Sequence, residues 1–314
     1  MSVDELSERS AQLLAAWHLP GLVKSALPQA VIDAMRPIRV RVLSRGLPRN
    51  RVFEQPPEHR LASASMSVVV PIHDAPLVTK RCLASLERVA AKSEIILVDD
   101  GSRTAETTHI IREFGSRNGW KVIWNAQASG HGAASAAGAR LASRPYLCLL
   151  NSDTIVTPWC WRALEEAFEM NIAIGVAGPS TSDSGNEQAL DIARHCRFYW
   201  NDSQICSFAE RLTAAPPQPV ILDLPWVSGF AFFIRRGLWE ELGGFDRNLP
   251  DYANETELCK RVIKSGHRTV WVRSSYIHHL GRQSYGKAIG EHEIRSRKLA
   301  GAQYIRHKHN ASER

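Results

Sequence analysis

Three apolar runs in this chain end in polar or acidic residues. SVVVPI is followed by His73-Asp74, EIILV by Asp99-Asp100-Gly101-Ser102, and YLCLL by Asn151-Ser152-Asp153. In an open parallel sheet the carboxyl ends of the strands share one edge, and ligands gather there. A carboxylate at such an edge can accept hydrogen bonds from a base or ribose. It can also hold a divalent cation that neutralises a departing diphosphate. Asp153, at a strand end with a loop after it, is the best cation ligand, and Asp99 and Asp100 suit the base or ribose. One aspartate after a strand is more often a turn former or helix cap. Three such strand ends in one sheet favour chemistry.

The elements that must position these residues alternate. Residues 67–72 and 94–100 are β-branched apolar runs of the kind that buried parallel strands require. Further strands are predicted at 121–125, 146–153, 172–179, 225–236 and 268–272. Between them helical spacing occupies 76–90, where Leu77, Cys82, Leu83 and Leu86 mark one face, and then 104–114, 130–141 and 161–170. Short helices are read at 238–242 and 256–265. Strand-helix-strand repetition with short links implies right-handed crossovers and an α/β fold with a mostly parallel central sheet. Residues 180–220 are polar and irregular, the sort of segment that makes a binding loop. Ahead of all this, residues 1–65 read as a helical extension broken by Pro20 and Pro28, then a basic stretch and a Pro-containing linker.

Composition narrows the class. A chain of 314 residues with 44% hydrophobic and 23% charged residues is ordinary globular protein, neither disordered nor fibrous. No apolar run approaches the roughly 20 residues that span a bilayer, and the polar N-terminus lacks the apolar core of a secretory signal. The expectation is a cytoplasmic protein, with a peripheral place at the inner membrane face as the furthest departure from that. Six cysteines without CxxC or metal-ligand spacing read as buried thiols in a reducing compartment. The net charge of +7 suits an anionic ligand. The basic residues are dispersed and no nucleic-acid motif accompanies them, so no nucleic-acid partner is expected.

The segments SVVVPIHDAPLVTKRCLASL, EIILVDDGS, LLNSDTIVTPWCW, WVSGFAFFIRRGLWEELGGFD and HHLGRQSYG, in this order and spacing, resemble family 2 glycosyltransferases. The likeness extends over about residues 66–309, including the closing YIRHKH. It implies the GT-A fold, an inverting transfer from a nucleotide-diphospho-sugar, and a divalent metal, Mn2+ or Mg2+. It also implies an acceptor that is a glycan or lipid-linked hydroxyl in surface-polysaccharide synthesis. By this resemblance Pro71, His73, Asp74, Asp99, Asp100 and Ser152 hold the nucleotide, and Asp153 and His278 serve the metal and diphosphate, with His279 alongside. Glu255 falls at the catalytic-base position, and Trp226, Gly229 and Glu257 fall to the acceptor; Trp200 and Tyr199 are further candidates for stacking on sugar rings. Three positions depart from the family's pattern. Asn254-Glu255 replaces a Glu-Asp pair, making the base one methylene longer, and Ala136 stands where asparagine is common.

The resemblance divides the chain into a nucleotide half at about 66–153, an acceptor half at about 154–285 and a helical tail at about 286–314. The extension at 1–65 is then the place for a homodimer contact or for other biosynthetic enzymes. The Asn254-Glu255 departure sustains one alternative, a catalytically inactive scaffold that binds nucleotide or glycan. A nucleotidyltransferase ranks lower, because PIHDAPLV lacks a Gly-rich basic loop, and a dehydrogenase lower still, because no GxGxxG follows a strand.

Overall fold

The computed structural model describes residues 65–90, 92–281 and 291–310. All the described residues belong to one compact unit. The helices expected in the N-terminal extension, and residues 282–286 of the HHLGRQSYG segment, lie outside the described residues.

Strand β1 (Met66–Ile72) is buried along its whole length because both its faces are covered. Val68, Val70 and Ile72 join one apolar cluster and Val69 joins the other, as the two-residue period of a strand requires. The first cluster is filled by α1 (Pro76–Val89), α2 (Ala105–Asn118) and α4 (Cys160–Met170). The second is filled by α3 (His131–Ala139), α7 (Arg236–Glu241) and α8 (Asn254–Lys264). Each fully buried Val, Leu, Ile or Phe contributes about 1.5–3 kcal/mol, so this helix–sheet–helix layering fixes where the strand ends emerge. In α1 the inward face is Cys82, Leu83, Leu86 and Val89. Leu77, predicted on that face, is 76% exposed, since it sits in the first turn beyond the sheet's edge.

The remaining strands are β2 (Glu94–Asp100), β3 (Lys121–Asn125), β4 (Tyr146–Leu150), β5 (Thr154–Val156), β6 (Ile174–Ser180), β7 (Ile221–Asp223), β8 (Ala231–Arg235) and β9 (Arg268–His279). Their order is β3-β2-β1-β4-β8-β6-β9-β5, with β7 also on β9. The parallel character predicted from the sequence holds across β3, β2, β1 and β4 and between β6 and β9. Strand β8 runs antiparallel to both its neighbours, and β5 and β7 run antiparallel to β9. Strand β9 continues seven residues past its predicted end, and this brings His278 and His279 into the sheet. The polar segment 180–220 is partly helical: α5 (Asp191–Cys196) and α6 (Asp202–Ala214) form there, the latter started by a capping box between Asn201 and Gln204. The last described element, α9 (Glu291–Asn310), is long and polar. Among the described residues no helix is long and apolar enough to cross a membrane.

Candidate active site

Two consecutive residues after β1, Asp74 and Ala75, hold left-handed backbone with φ of 53° and 57°, a conformation that costs non-glycine residues about 1–2 kcal/mol each. What holds the turn is the Asp74 carboxylate. Its Oδ1 accepts the N–H groups of Arg103 and Thr104 at 2.8 and 2.9 Å and the Thr104 hydroxyl at 3.1 Å. Burial works against this charge, but the donors from Thr104 and Arg103 outweigh it and keep the carboxyl below its usual range. His73 donates through Nδ1 to the Asp100 carbonyl at 2.9 Å. Pro71 lies inside β1, opposite Val98, and is buried.

At the end of β2 the two aspartates differ. Asp100 is wholly buried, and its carboxylate accepts from Asn125 Nδ2, the Ser129 N–H and hydroxyl, and the Gly130 N–H, all between 2.7 and 2.9 Å. It therefore shapes the loop that leads into α3. Asp99 accepts one hydrogen bond, from the Ser102 N–H at 3.1 Å, so it keeps acceptor capacity that Asp100 has spent.

After β4, Asn151 Oδ1 meets His131 Nε2 at 3.0 Å, and the Ser152 hydroxyl is buried without a hydrogen-bond partner. Asp153 is 2% exposed. The register of β5 on β9 sets Thr154 opposite His279 and Ile155 opposite His278. Neighbouring residues of a strand face opposite ways, so the two histidines have different surroundings. His278 shares a face with Tyr276. Its Nε2 donates to the Arg197 carbonyl at 2.8 Å, which leaves Nδ1 to accept from the Tyr276 hydroxyl at 2.8 Å. Burial pushes its pKa down to about 4. The ring is neutral and both nitrogens are engaged. His279 lies 3.2 Å from Asp153 Oδ1 through Nε2, donates through Nδ1 to the Asp183 carbonyl at 2.7 Å, and stacks on Phe230. Burial opposes its protonation, but the Asp153 charge overcomes that and raises its pKa.

Glu255 stands in the first turn of α8, directly after Ala253, a third left-handed residue at φ 69°, and Asn254. The Asn254 side chain is buried and accepts the Glu255 N–H at 3.0 Å. The Glu255 carboxylate lies flat against Gly229: a Cβ on that glycine would fall 1.7 Å from Oε1. Burial raises the Glu255 pKa, with His131 as the main opposing influence. Glu257 points elsewhere. Its carboxylate is wholly buried and is taken by Arg261, Lys308 and His309.

Trp226 is half-buried, and its carbonyl accepts from Asn186 at 3.1 Å. Trp200 is packed on Phe208 and is 3% exposed, while Tyr199 beside it is 52% exposed. His131 was not singled out from the sequence, although it neighbours both Asn151 and Glu255. Its position opening the small-residue helix after Gly130 was the available signal.

The mixed central sheet with helices on both faces is similar to the GT-A fold. The sequence profile described as "Glycosyl transferase family 2" matches residues 67–243, more than half of the chain. The chain belongs to glycosyl transferase family 2. Among solved structures it is similar to the mannosyltransferase PcManGT from Pyrobaculum calidifontis in complex with GDP-Man and Mn2+, at 15% identity and TM-score 0.50, covering 80% of this chain and 66% of that one. It is also similar to GalNAc-T7 with UDP, GalNAc and Mn2+, at 21% identity and TM-score 0.54, covering 83% and 53%. At these identities the likeness establishes the fold, and the chain spans between about half and two thirds of those structures. No curated protein matches in sequence.

Proposed function

We propose that this protein transfers a sugar, with inversion, from a nucleotide-diphosphate donor to an acceptor hydroxyl, with Glu255 as general base. The observation that carries this reading is the Glu255 carboxyl itself: half-buried, raised in pKa by that burial, and seated on Gly229. A base tuned upward toward the working pH is the better proton acceptor. Gly229 also answers the departure from the family motif, because a missing side chain there leaves room for the extra methylene of glutamate.

Asp99 is the better contact for a ribose or base than Asp100, whose carboxylate is committed to the 125–130 loop. The carboxylate oxygen of Asp153 and the imidazole of His279 converge at 3.2 Å, and an oxygen with a neutral ring nitrogen would suit Mn2+ better than Mg2+, which takes oxygen ligands, with diphosphate oxygens completing the shell. Among the described residues no group of three such side chains is assembled, so the diphosphate must supply part of the shell. His278 does not fit the metal, since both ring nitrogens are engaged; its part is to tie the 197 segment to the sheet. The cation, when bound, supplies positive charge to the leaving diphosphate. Glu255 takes the acceptor proton at its carboxylate, Asp99 holds the nucleoside, and Trp226 and Tyr199 flank the acceptor.

In this reading residues 66–153 serve the donor and 154–285 the acceptor, a glycan or lipid-linked hydroxyl of surface-polysaccharide synthesis at the cytoplasmic side of a membrane. The test is a mass-spectrometric screen of UDP-, GDP- and dTDP-sugars with Mn2+, followed by Glu255→Gln. Transfer falls at least about 100-fold while calorimetric binding of the nucleoside diphosphate stays within about twofold. Undiminished turnover in Glu255→Gln removes the base assignment. Nucleotide binding without turnover in the parent protein favours the inactive scaffold instead.

A further inference from the structure

The two carboxylates in the first turn of α8 face different partners. Glu255 lies against Gly229. Glu257, wholly buried, is held by Arg261 Nη2 at 2.6 Å, Lys308 Nζ at 2.8 Å and His309 Nε2 at 3.4 Å. Lys308 also reaches Asp246 Oδ2 at 2.6 Å, and the Tyr304 hydroxyl donates to the same oxygen at 2.9 Å. Lys308, His309 and Tyr304 all belong to α9, so the end of that helix is bound to the turn that carries Glu255.

Two turns earlier, α9 touches the residues just ahead of Glu255. A Cβ on Gly301 would come within 2.9 Å of the Ala253 Cβ and 3.3 Å of the Tyr252 carbonyl oxygen, so the helix backbone rests directly on Ala253. Ala253 is left-handed at φ 69°, and such a residue persists only where its surroundings over-determine it. Arg297 of α9 pairs with Asp251. A hollow of about 340 Å³ nevertheless lies between residues 248–252 and α9. Ile294 and Ile305 of α9 are buried, so apolar contact contributes to the docking, while beside this hollow the ion pairs and the Gly301 contact set how α9 meets residues 251–257.

We infer that α9 is a clamp that sets the catalytic carboxylate: Gly301 and Lys308 are positioning residues that fix Ala253 and Glu257, and through them the seat of Glu255 on Gly229. This rests on Glu255 being the base. A misplacement of about 1 Å costs on the order of 100-fold in rate, so modest slack in α9 reaches the chemistry without touching the nucleotide side.

The experiment uses the full chain with Lys308→Met, Lys308→Arg, Gly301→Ala and Glu255→Gln. Donors are the UDP-, GDP- and dTDP-sugars with Mn2+, and turnover is expressed per site that binds the corresponding nucleoside diphosphate by calorimetry. Lys308→Met and Gly301→Ala lower turnover per binding site by about 10-fold or more, with nucleotide affinity within about twofold. Lys308→Arg restores most of the rate, and amide hydrogen exchange rises at residues 253–258 but not in β1 or β4. Parental turnover and exchange in both α9 variants overturn the inference, as does loss of nucleotide affinity and turnover by the same factor. Should Lys308→Met not fold, Gly301→Ala decides, since alanine favours helix. Turnover retained by Glu255→Gln, or by none of the donors in the parent, overturns the base assignment and the clamp together. An inactive Glu255→Gln beside normal α9 variants overturns the clamp alone.

Discussion

Glu255 and Gly229 make sense only as a pair. The carboxylate occupies the volume a side chain at 229 would fill, with the virtual Cβ 1.7 Å from Oε1 and 2.4 Å from Cδ. Gly229→Ala must therefore push the carboxylate away by more than an ångström. The expected result is a fall in transfer rate of about 100-fold with nucleoside-diphosphate affinity within about twofold. Gly237→Ala is the matched control, because a Cβ there meets nothing within 4 Å. Steady-state kinetics on both variants, with calorimetry for the nucleotide, make the comparison; equal rates would dismiss the close contact as unimportant. The same scale separates the two histidines of β9. One residue's difference along a strand turns His278 toward Tyr276 and Arg197, and His279 toward Asp153.

At the scale of elements, the strand tips owe their shape to carboxylates that the sequence offered as ligands. Asp100 gathers Asn125, Ser129 and Gly130 and so delivers α3, with His131 at its first position, to the edge of the sheet. Asparagine at 100 would turn an amide N–H2 toward at least one of these donors. Hydrogen bonds to a charged group are worth about 1.5–3 kcal/mol, so Asp100→Asn should lower unfolding free energy by about 2–3 kcal/mol in urea titrations. An unchanged midpoint would show that the loop holds itself. Asp74 does comparable work between the β1 turn and the start of α2.

Across the whole molecule, buried or half-buried carboxylates with depressed pKa tie distant segments together. Burial raises the Asp246 pKa, but Lys308, the Asn248 N–H and Tyr304 outweigh it and bring it from 3.8 to about 2. For Glu94 burial is likewise overcome by Lys121, Ser67 and Ser143, from 4.5 to about 2. Glu257 moves in the same direction, with burial outweighed by Arg261 and Lys308. Each group binds protons more weakly folded than unfolded, so its contribution is complete above the unfolded values and disappears as pH falls through the folded ones. From these carboxylates stability should decline from roughly pH 4.5 toward pH 2, and His278, lowered from 6.5 to about 4, adds a fall that begins near pH 6.5, both read as the urea midpoint against pH. Removing Lys308 with Met should shrink that decline, because it relieves both Asp246 and Glu257 of their shared partner.

Much was legible in the residues alone. The apolar runs placed the first four strands, and their alternation with helices gave their parallel character, while the polar residues at their ends pointed to the edge proposed as the site. The places of Asp153 after a strand and of Glu255 in the first turn of a helix were legible because local sequence sets which end of an element a residue occupies; the role proposed for Glu255 came from the family resemblance. What tertiary structure alone decided is who meets whom. The capacity of Asp100 is spent and that of Asp99 is not; Glu257 is locked beneath α9; His279 rather than His278 faces Asp153; a glycine 26 positions before Glu255 makes its seat. Hydrogen-bond capacity is finite, and strand register is set by pairing with a partner remote in the chain. The availability of each side chain therefore depends on neighbours that no local pattern names.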